Sequence, residues 1–334
     1  MNMPSTSQTS RSTGTALWHL ARPRMVPFMW LLVLGGYGFA HWDRALMGQG
    51  GRALLATLAA WSFLHAGTLW FNARVDQDEG EVLWGRSVDV PANMAGWSAT
   101  AFVVTLALAG LAGPWVLLCA VGCVVLAVLY SHPASLWKGH PVGGPVVNAV
   151  GYGLLSPIAG FACAGVTPTV RSGVVLGLGL CGVMAAYYAA MAFQGDEDRA
   201  RGYRTLVARQ GMAAAVRATR RWMWAGVTGA LVLAAVGWVP RELFLLLPLF
   251  VWVDRYANAW QHSGAESDSG WARGFANRLL VGSLVALTLL VVLYVRDSFQ
   301  ERPVAGLATA AGHPPDRPLL SPRQMRVWEA RQSE

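Results

Sequence analysis

An acidic segment that begins at Asn72 contains side chains suited to binding a metal ion. Asn72, Asp76 and Glu79 lie at positions i, i+4 and i+7, so they share one face if the segment is helical. Asp78 lies within the same turn. Carboxylate and amide oxygens are the ligands that Mg²⁺ prefers, and protein-bound Mg²⁺ commonly joins one or two carboxylates to substrate phosphates.

A second acidic segment repeats this arrangement further along the chain. Gln194, Asp198 and Arg201 share a helical face, and Glu197 adds a carboxylate. Both segments follow long apolar stretches, so the two amide–carboxylate pairs are expected at the same membrane boundary. Facing each other, they would hold a diphosphate through bridging Mg²⁺ ions. The alternative is a pair of solvated loops whose acids pair with nearby arginines.

The only lysine of the sequence lies between the two acidic segments. Lys138 stands alone among 26 basic residues, in a loop that also contains His132 and His140. A compact ammonium group suits one particular phosphate-binding position, whereas a random surface lysine is the alternative. The two histidines are candidate proton acceptors, although loop histidines are usually just solvated.

The composition predicts that a membrane-spanning scaffold positions these segments. Of the 334 residues, 54% are hydrophobic and only 13% are charged, where soluble domains have about 25% charged residues. This excludes a soluble protein and a disordered one. The net charge of +8 is spread over membrane boundaries, which indicates orientation in the bilayer and no nucleic-acid partner. The four cysteines lie in apolar stretches without CxxC spacing, so we expect neither a zinc site nor disulfides.

Apolar stretches that meet or approach the length needed to cross a bilayer predict an all-α polytopic membrane protein of about nine transmembrane helices. We expect two four-helix halves plus a last helix, bundled around a central cavity. The stretches lie near residues 25–42, 52–71, 94–113, 114–130, 144–166, 172–193, 222–239, 241–253 and 277–295. Residues 1–24 are predicted to be a disordered cytoplasmic leader, residues 25–296 the membrane domain, and residues 297–334 a disordered tail rich in Pro and Arg.

The distribution of Arg and Lys predicts the orientation of these helices. The N-terminus and the longer loops after even-numbered spans hold most of the basic residues, and the short turns on the other side hold few. Because basic loops stay in the cytoplasm, this face and its acidic segments should be cytoplasmic. Nine spans then place the C-terminal tail outside, and a bacterial inner membrane is the expected location.

Taken together, these segments resemble the UbiA superfamily of intramembrane prenyltransferases, of which this chain would be a divergent member. Asn72 and Asp76 match the family's first motif. The residues that match its middle loop are Tyr130, Ser131, Pro133, Leu136 and Lys138. The residues that match the end of its second motif are Asp198, Gly202, Arg204 and Thr205.

The chain also departs from the family pattern at three positions. Ala73, Gly80 and Gln194 stand where the family has Asp. Four nearby acids, each within one helical turn, are expected to compensate: Asp78, Glu79, Asp196 and Glu197. The departures favour a specialised member of the family.

The resemblance implies a Mg²⁺-dependent enzyme that ionises an isoprenyl diphosphate and transfers the prenyl group to an aromatic or other small acceptor. The metal ligands that it implies, with the neighbouring acids and amide, are Asn72, Asp76, Asp78, Glu79, Glu197 and Asp198. Catalytic roles fall to Asp76, Tyr130, Lys138 and Asp198. Contacts with the substrate fall to Asn72, Ser131, Lys138, Tyr187, Gln194, Arg201 and Arg204.

Two other kinds of protein remain open. A terpene cyclase on the same scaffold would ionise the same donor and quench the cation internally, without an acceptor. A transporter or assembly partner is the third alternative, but transporters place isolated charges near the bilayer midplane. Here the spans are nearly free of ionisable residues, with His41 and His65 as exceptions.

Overall fold

The computed structural model describes residues 13–43, 49–76, 89–265 and 268–300, and no strand occurs among them. Its α-helices are α1 (Thr13–Leu20), α2 (Val26–Asp43), α3 (Gly51–Asp76), α4 (Met94–Ala112), α5 (Pro114–Ser131), α6 (Gly143–Val150), α7 (Ser156–Cys163), α8 (Val170–Met191), α9 (Gly195–Ala200), α10 (Leu206–Gln210), α11 (Met212–Ala235), α12 (Leu247–Gln261) and α13 (Ser269–Gln300). A π-helical turn, Gly151–Leu155, joins α6 to α7. Short 3-10 turns occupy Pro23–Met25, Trp137–Gly139 and Arg241–Leu246.

Seven helical stretches of the described chain are long and apolar enough to cross a bilayer. They are Thr13–Trp42, Gly51–Val75, Met94–Ala112, Pro114–Ser131, Gly143–Cys163, Val170–Met191 and Ser269–Leu293. The predicted all-α membrane fold is therefore confirmed. The predicted number of nine spans is not, because the remaining two stretches fall on α11 and α12. Helix α11 has three arginines in its first half, and α12 has only 15 residues, so neither helix is both apolar enough and long enough to cross a bilayer.

Three clusters of buried apolar side chains hold the bundle together. One is built from α2, α3, α4, α5 and α7, and includes Trp61, whose indole Nε1 donates to Ser156 Oγ at 2.8 Å. Another is built from α8 and α10–α13, around Trp260 and Phe275. The third lies where α2 and α7 meet α8 and α11, around Phe161. The first two clusters correspond to the first and second parts of the chain, and the third joins them.

Helices α2 and α7 approach so closely that side chains are excluded at two glycines. A Cβ atom at Gly160 would lie 1.9 Å from the Val33 carbonyl oxygen, and one at Gly36 would lie 1.9 Å from the Pro157 carbonyl oxygen. Small residues at helix contacts are how membrane helices gain van der Waals packing, since lipid offers no hydrophobic driving force between them. These glycines therefore set the distance between α2, which lines the cavity described below, and α7.

We expect Gly160→Ala to destabilise the bundle by about 1–3 kcal/mol, because the added methyl group overpacks a backbone contact that no rotamer change can relieve. The measurement is thermal unfolding of the detergent-solubilised protein. Gly173→Ala on α8 is the matched control, since a Cβ atom there meets nothing within 4 Å. Equal melting temperatures for both variants would contradict the close contact of α2 with α7.

The predicted disordered leader differs from the structure after residue 12. Helix α1 occupies Thr13–Leu20, and its Ala16 is buried. The indole Nε1 of Trp70 on α3 donates to the Leu17 carbonyl oxygen at 3.0 Å, which fixes α1 against α3. The Ser and Thr content of this segment predicted disorder. The helix is stabilised by its apolar side chains in Ala16–Leu20 and by the contact with Trp70. Residues 1–12 and 301–334 lie outside the described residues.

Candidate functional site

A cavity of about 460 Å³ opens between the helices of the two parts of the bundle. Its walls come mainly from α2, α3, α5, α6, α8 and α9, with the π-helical turn and α13 contributing further residues. One end is polar, and the remainder is walled mostly by apolar side chains such as Phe28, Leu32 and Val183. The residues that line its polar part are Asn72, Lys138, Gln194, Glu197, Asp198 and Arg201, and we call this part of the cavity the polar end.

Asn72 forms the centre of a partly buried hydrogen-bond group at the polar end. Its side-chain oxygen accepts a hydrogen bond from Ser131 Oγ at 2.9 Å and another from Lys138 Nζ at 3.2 Å. Ser131 is the last residue of α5 and is fully buried behind Asn72. Three predicted site residues from two distant segments are therefore in direct contact.

The loop after α5 delivers Lys138 into the cavity. Pro133 cannot continue α5, so the chain turns away from the helix after Ser131. Leu136 then adopts a left-handed conformation with φ of 44°, and the following 3-10 turn carries Lys138. Only 6% of the lysine surface remains exposed. A strained residue two positions before a buried charge indicates that the surrounding structure fixes the position of that charge.

Helix α9 brings the second acidic segment to the same place. Asp198 is buried, accepts a hydrogen bond from Thr205 Oγ1, and receives the Tyr203 N–H at its main-chain carbonyl oxygen. Its neighbour Glu197 forms an ion pair of 2.7 Å with Arg201. Both carboxylates lie in the first turn of α9, where the helix dipole favours negative charge.

Burial and neighbouring charges act together on the ionisable groups of the polar end. Burial and the positive charge of Arg201 lower the pKa of Lys138 to about 7, against the attraction of Glu197 and Asp198. Burial also raises the pKa of Asp198, against the hydrogen bond from Thr205 and the charges of Arg201 and Lys138. Charged side chains held out of water in this way are suited to binding a charged ligand, since the ligand replaces the lost solvent.

A contact between two loops sets the distance between Lys138 and Asp198. The Arg204 N–H donates to the Gly139 carbonyl oxygen at 2.8 Å. A Cβ atom at Gly139 would lie 2.7 Å from Cδ1 of Tyr203, so the tyrosine ring packs directly on this glycine. The loop after α5 and the loop after α9 are thus held together at the residue that follows Lys138.

We expect Gly139→Ala to lower about tenfold the turnover of the isoprenyl diphosphate that the family resemblance implies, because the displaced Tyr203 ring moves the two loops apart and a misplacement of about 1 Å is already costly to catalysis. The measurement is the rate of diphosphate release from geranyl diphosphate. Gly173→Ala is again the matched control, since it adds the same methyl group where there is space. Full activity of Gly139→Ala would show that the loop contact does not position the lysine.

Aromatic side chains line the cavity next to the polar end. Tyr130, Tyr152, Tyr187 and Tyr203 line it. The absence of a side chain at Gly144 gives Tyr187 its space, since a Cβ atom there would lie 2.6 Å from the tyrosine Oη. Tyr130 and Tyr187, two of the predicted site residues, therefore line the cavity.

The structure leaves some predicted site residues outside the polar end. Arg204 is exposed and contributes a main-chain contact, and it does not line the cavity. Asp76 is the last residue of α3, one turn after Asn72, but its side chain is not among the described parts of the chain. Asp78 and Glu79 lie outside the described residues. Their predicted roles as metal ligands stay predictions.

Several cavity residues were missed from the sequence. Asn148 and Tyr152 lie on α6 and the π-helical turn, and His65 lies on α3, all inside predicted apolar spans. A polar residue within an apolar stretch was the available signal, since such residues usually face the interior of a bundle or a cavity. The structure adds a second signal, the π-helical turn beside these residues, because such turns recur at functional sites.

The polar end offers oxygen ligands from two segments. Within the described residues no group of three or more His, Cys, Asp or Glu side chains lies close enough to hold a metal ion unaided. The oxygen donors there are the carboxylates of Glu197 and Asp198 and the amides of Asn72 and Gln194. Such a set fits Mg²⁺, which is satisfied by one or two carboxylates together with water and substrate phosphates. It does not fit zinc, which prefers Cys and His.

Comparison with known protein families gives one match. The model of the UbiA prenyltransferase family matches residues 25–281. The chain matches none of the curated proteins with which it was compared.

Solved structures share the fold at low sequence identity. A UbiA homologue from Archaeoglobus fulgidus, solved with GPP and Mg²⁺, has a TM-score of 0.59 and 15% identity, and the alignment covers 81% of this chain and 99% of that one. The apo UbiA homologue from Aeropyrum pernix K1 has a TM-score of 0.58 and 15% identity, with 79% and 96% covered. A digeranylgeranylglyceryl phosphate synthase has a TM-score of 0.53 and 15% identity, with 83% and 99% covered.

Proposed function

Because the chain belongs to the UbiA prenyltransferase family, we propose that it is a Mg²⁺-dependent membrane enzyme that transfers the prenyl group of an isoprenyl diphosphate to an aromatic or other small acceptor. The observation that carries this proposal is the buried Lys138, which contacts Asn72 and lies beside Asp198 at the polar end of an otherwise apolar cavity. A donor with a charged head and an apolar chain has the same division of polarity.

The cavity suits such a donor in size and lining. Its volume of about 460 Å³ is in the range of small-molecule sites. The diphosphate would occupy the polar end, and the prenyl chain would lie among side chains such as Phe28, Leu32 and Val183. Since burying a charged head group without partners is costly, the donor would bind in this one direction.

Lys138 and Arg201 would stabilise the leaving group. When the bond between C1 of the donor and the diphosphate oxygen breaks, the electron pair stays on the oxygen and negative charge grows there. Lys138 Nζ donates to Asn72 in the structure, and an ammonium group carries three N–H donors in all. Donors fixed in a site of low dielectric stabilise developing charge more strongly than donors in water, because they need not reorganise.

Mg²⁺ would be held by Asp198 and Glu197, with Asn72, Gln194 and Asp76 as further oxygen donors. Bound there, it would neutralise the oxygens of the diphosphate. The Glu197 carboxylate is paired with Arg201, so this guanidinium is well placed to move onto the diphosphate when the carboxylate changes its partner.

The aromatic residues would protect the allylic cation that remains. Tyr130, Tyr152 and Tyr187 line the cavity, and aromatic faces attract cations. The surrounding apolar side chains exclude water, which would otherwise convert the cation to an alcohol.

The test is incubation of the purified protein in lipid nanodiscs with geranyl diphosphate and Mg²⁺, with and without a panel of phenolic acceptors. We expect prenylated phenol and free diphosphate in equal amounts when the acceptor fits. Release of a cyclic hydrocarbon in the absence of an acceptor would identify a terpene cyclase, which uses the same polar end. No release of diphosphate from geranyl, farnesyl or geranylgeranyl diphosphate under any condition would overturn the proposal.

We also propose that the polar end faces the cytoplasm, with the N-terminus inside and the C-terminal tail outside. The support is the concentration of basic residues in the N-terminal segment and the longer loops. Arg204 is exposed beside the polar end, so Arg204→Cys offers a site for a membrane-impermeant thiol reagent. We expect the cysteine to be labelled only after the cells are opened. Labelling of intact cells would show that the polar end faces the outside.

A further inference from the structure

We propose that His65 is the proton acceptor of this cavity, taking the proton that the cation, or the acceptor it has alkylated, must lose to give a neutral product. This inference rests on the proposed function and concerns a step after ionisation. A proton must leave in either case, whether the prenyl group is transferred or eliminated. Nothing in the sequence motifs of the polar end assigns that step.

His65 lies on the face of α3 that forms the cavity wall. Leu64, Thr68, Leu69 and Asn72 on the same helix also line the cavity, as the helical period requires. His65 is seven residues before Asn72, which places the two residues about 10 Å apart along the helix axis. The imidazole therefore lies beside the apolar part of the cavity, beyond the reach of a diphosphate at the polar end.

The imidazole is buried, and its hydrogen-bonding neighbour is the main chain of Arg22. It is 3% exposed, and neither Nδ1 nor Nε2 has a hydrogen-bond partner of good geometry among the described residues. The polar groups that act on the ring are the main chain and the guanidinium of Arg22. A buried polar side chain that faces a cavity with both nitrogens unsatisfied indicates a ligand or a proton-transfer role.

Arg22 gives a second indication that this part of the cavity is functional. It lines the cavity with a left-handed backbone, φ of 46°, and only one other non-glycine residue of the described chain, Leu136, has a positive φ. Leu136 precedes Lys138 by two positions. Each of the two strained residues is thus next to a charged or titratable side chain of the cavity, as expected where strain is maintained for function.

The other bases near the cavity are engaged elsewhere. Asp198 accepts from Thr205, and Glu197 is paired with Arg201. The loop histidines, which the sequence suggested as proton acceptors, are exposed and do not line the cavity. His132 Nδ1 faces the Ala134 N–H at 3.2 Å, and His140 Nδ1 faces the N–H groups of Val142 and Gly143.

The step balances without a further reactant. The C1–O bond of the donor breaks and the diphosphate leaves with the electron pair. If a phenol is present, its ring carbon forms a bond with C1, and the hydrogen on that carbon passes to the imidazole as a proton. If no acceptor is present, a carbon next to the cationic centre loses the proton and an alkene forms. The imidazolium returns its proton to solvent when the product leaves.

The experiment uses geranyl diphosphate with Mg²⁺ and a phenol that the parent protein prenylates, and measures three products of the full-length protein: diphosphate, prenylated phenol, and geraniol or linalool. The variants are His65→Leu and His65→Gln. Both remove the base, but His65→Leu also removes the polar group, whereas His65→Gln keeps one. His41→Gln is the matched control, because His41 lies on α2 outside the cavity lining. Thermal unfolding of each variant shows that it is folded.

We expect the ratio of prenylated phenol to alcohol to fall about 10²-fold in both His65 variants, with diphosphate release within about twofold of the parent protein. Phenol deuterated at the ring carbon that loses the proton should lower the share of prenylated phenol further in the variants. Added imidazole should restore prenylated phenol in a third variant, His65→Ala, which leaves space for it.

Three outcomes would overturn the inference. These are an unchanged product ratio in both variants, a parallel loss of all three products in folded variants, and alcohol as the main product of the parent protein. The absence of diphosphate release from the parent protein is a different result, since it contradicts the proposed function and not the assignment of the base alone.

Discussion

Replacing Lys138 by methionine should lower the rate of diphosphate release from geranyl diphosphate by about 10²–10³-fold, the usual cost of removing one donor that stabilises developing charge. The methionine keeps most of the buried aliphatic length and removes the ammonium group. It therefore tests the charge of the only lysine without opening a large cavity. The measurement is initial-rate release of diphosphate at saturating Mg²⁺.

Two further variants make this result specific. Lys138→Arg keeps a positive charge but cannot reproduce the compact ammonium group in a buried site, so we expect it to recover only part of the activity. Arg209→Gln on α10 removes an exposed cation outside the cavity, and its activity should equal that of the parent protein. Equal rates for Lys138→Met and Arg209→Gln would contradict the role of Lys138.

Replacing Asp198 by asparagine should abolish Mg²⁺-dependent turnover, with a loss of about 10²–10³-fold or more. The amide keeps the size of the side chain and can still accept the hydrogen bond from Thr205, so folding should be preserved. What is lost is a buried negative charge that both faces Lys138 and offers an oxygen to a cation. The measurement is turnover as a function of Mg²⁺ concentration, and the rate in excess EDTA gives the value without free Mg²⁺.

Asp196→Asn is the control for this variant. Asp196 lies in the same turn of α9, is exposed, and is paired with Arg199 at the surface. Surface ion pairs of this kind contribute little, so we expect both its activity and its Mg²⁺ dependence to be unchanged. If Asp196→Asn lost as much activity as Asp198→Asn, the acidic segment would act through its total charge, and the assignment of Asp198 would be wrong.

The sequence predicted the residues of the polar end because their chemistry is conspicuous against an apolar background. Asn72, Lys138 and Asp198 are separated widely along the chain, yet each follows an apolar stretch that ends on the same side of the bundle. Length and composition of those stretches were sufficient to place their ends together. The structure adds the contacts, in particular the hydrogen bond of Asn72 with both Ser131 and Lys138.

The wall of the cavity could not be predicted in the same way. Tyr152 and Asn148 belong to one apolar stretch, and a π-helical turn within it changes which residues face inward. The hydropathy of the stretch does not predict that turn. The exposure of Arg204 depends on a loop conformation in which its main chain, and not its guanidinium, makes the contact. Helix α1 forms because of a tertiary contact with Trp70, which local composition does not reveal.

The central claim is that the polar end binds a diphosphate with a divalent cation. The most direct measurement is equilibrium binding of geranyl thiolodiphosphate, which cannot ionise readily, to the parent protein in nanodiscs with and without Mg²⁺. We predict saturable binding that requires Mg²⁺ and is lost in both Lys138→Met and Asp198→Asn, while Asp196→Asn binds normally. Binding that is independent of Mg²⁺ and unchanged in both variants would contradict it.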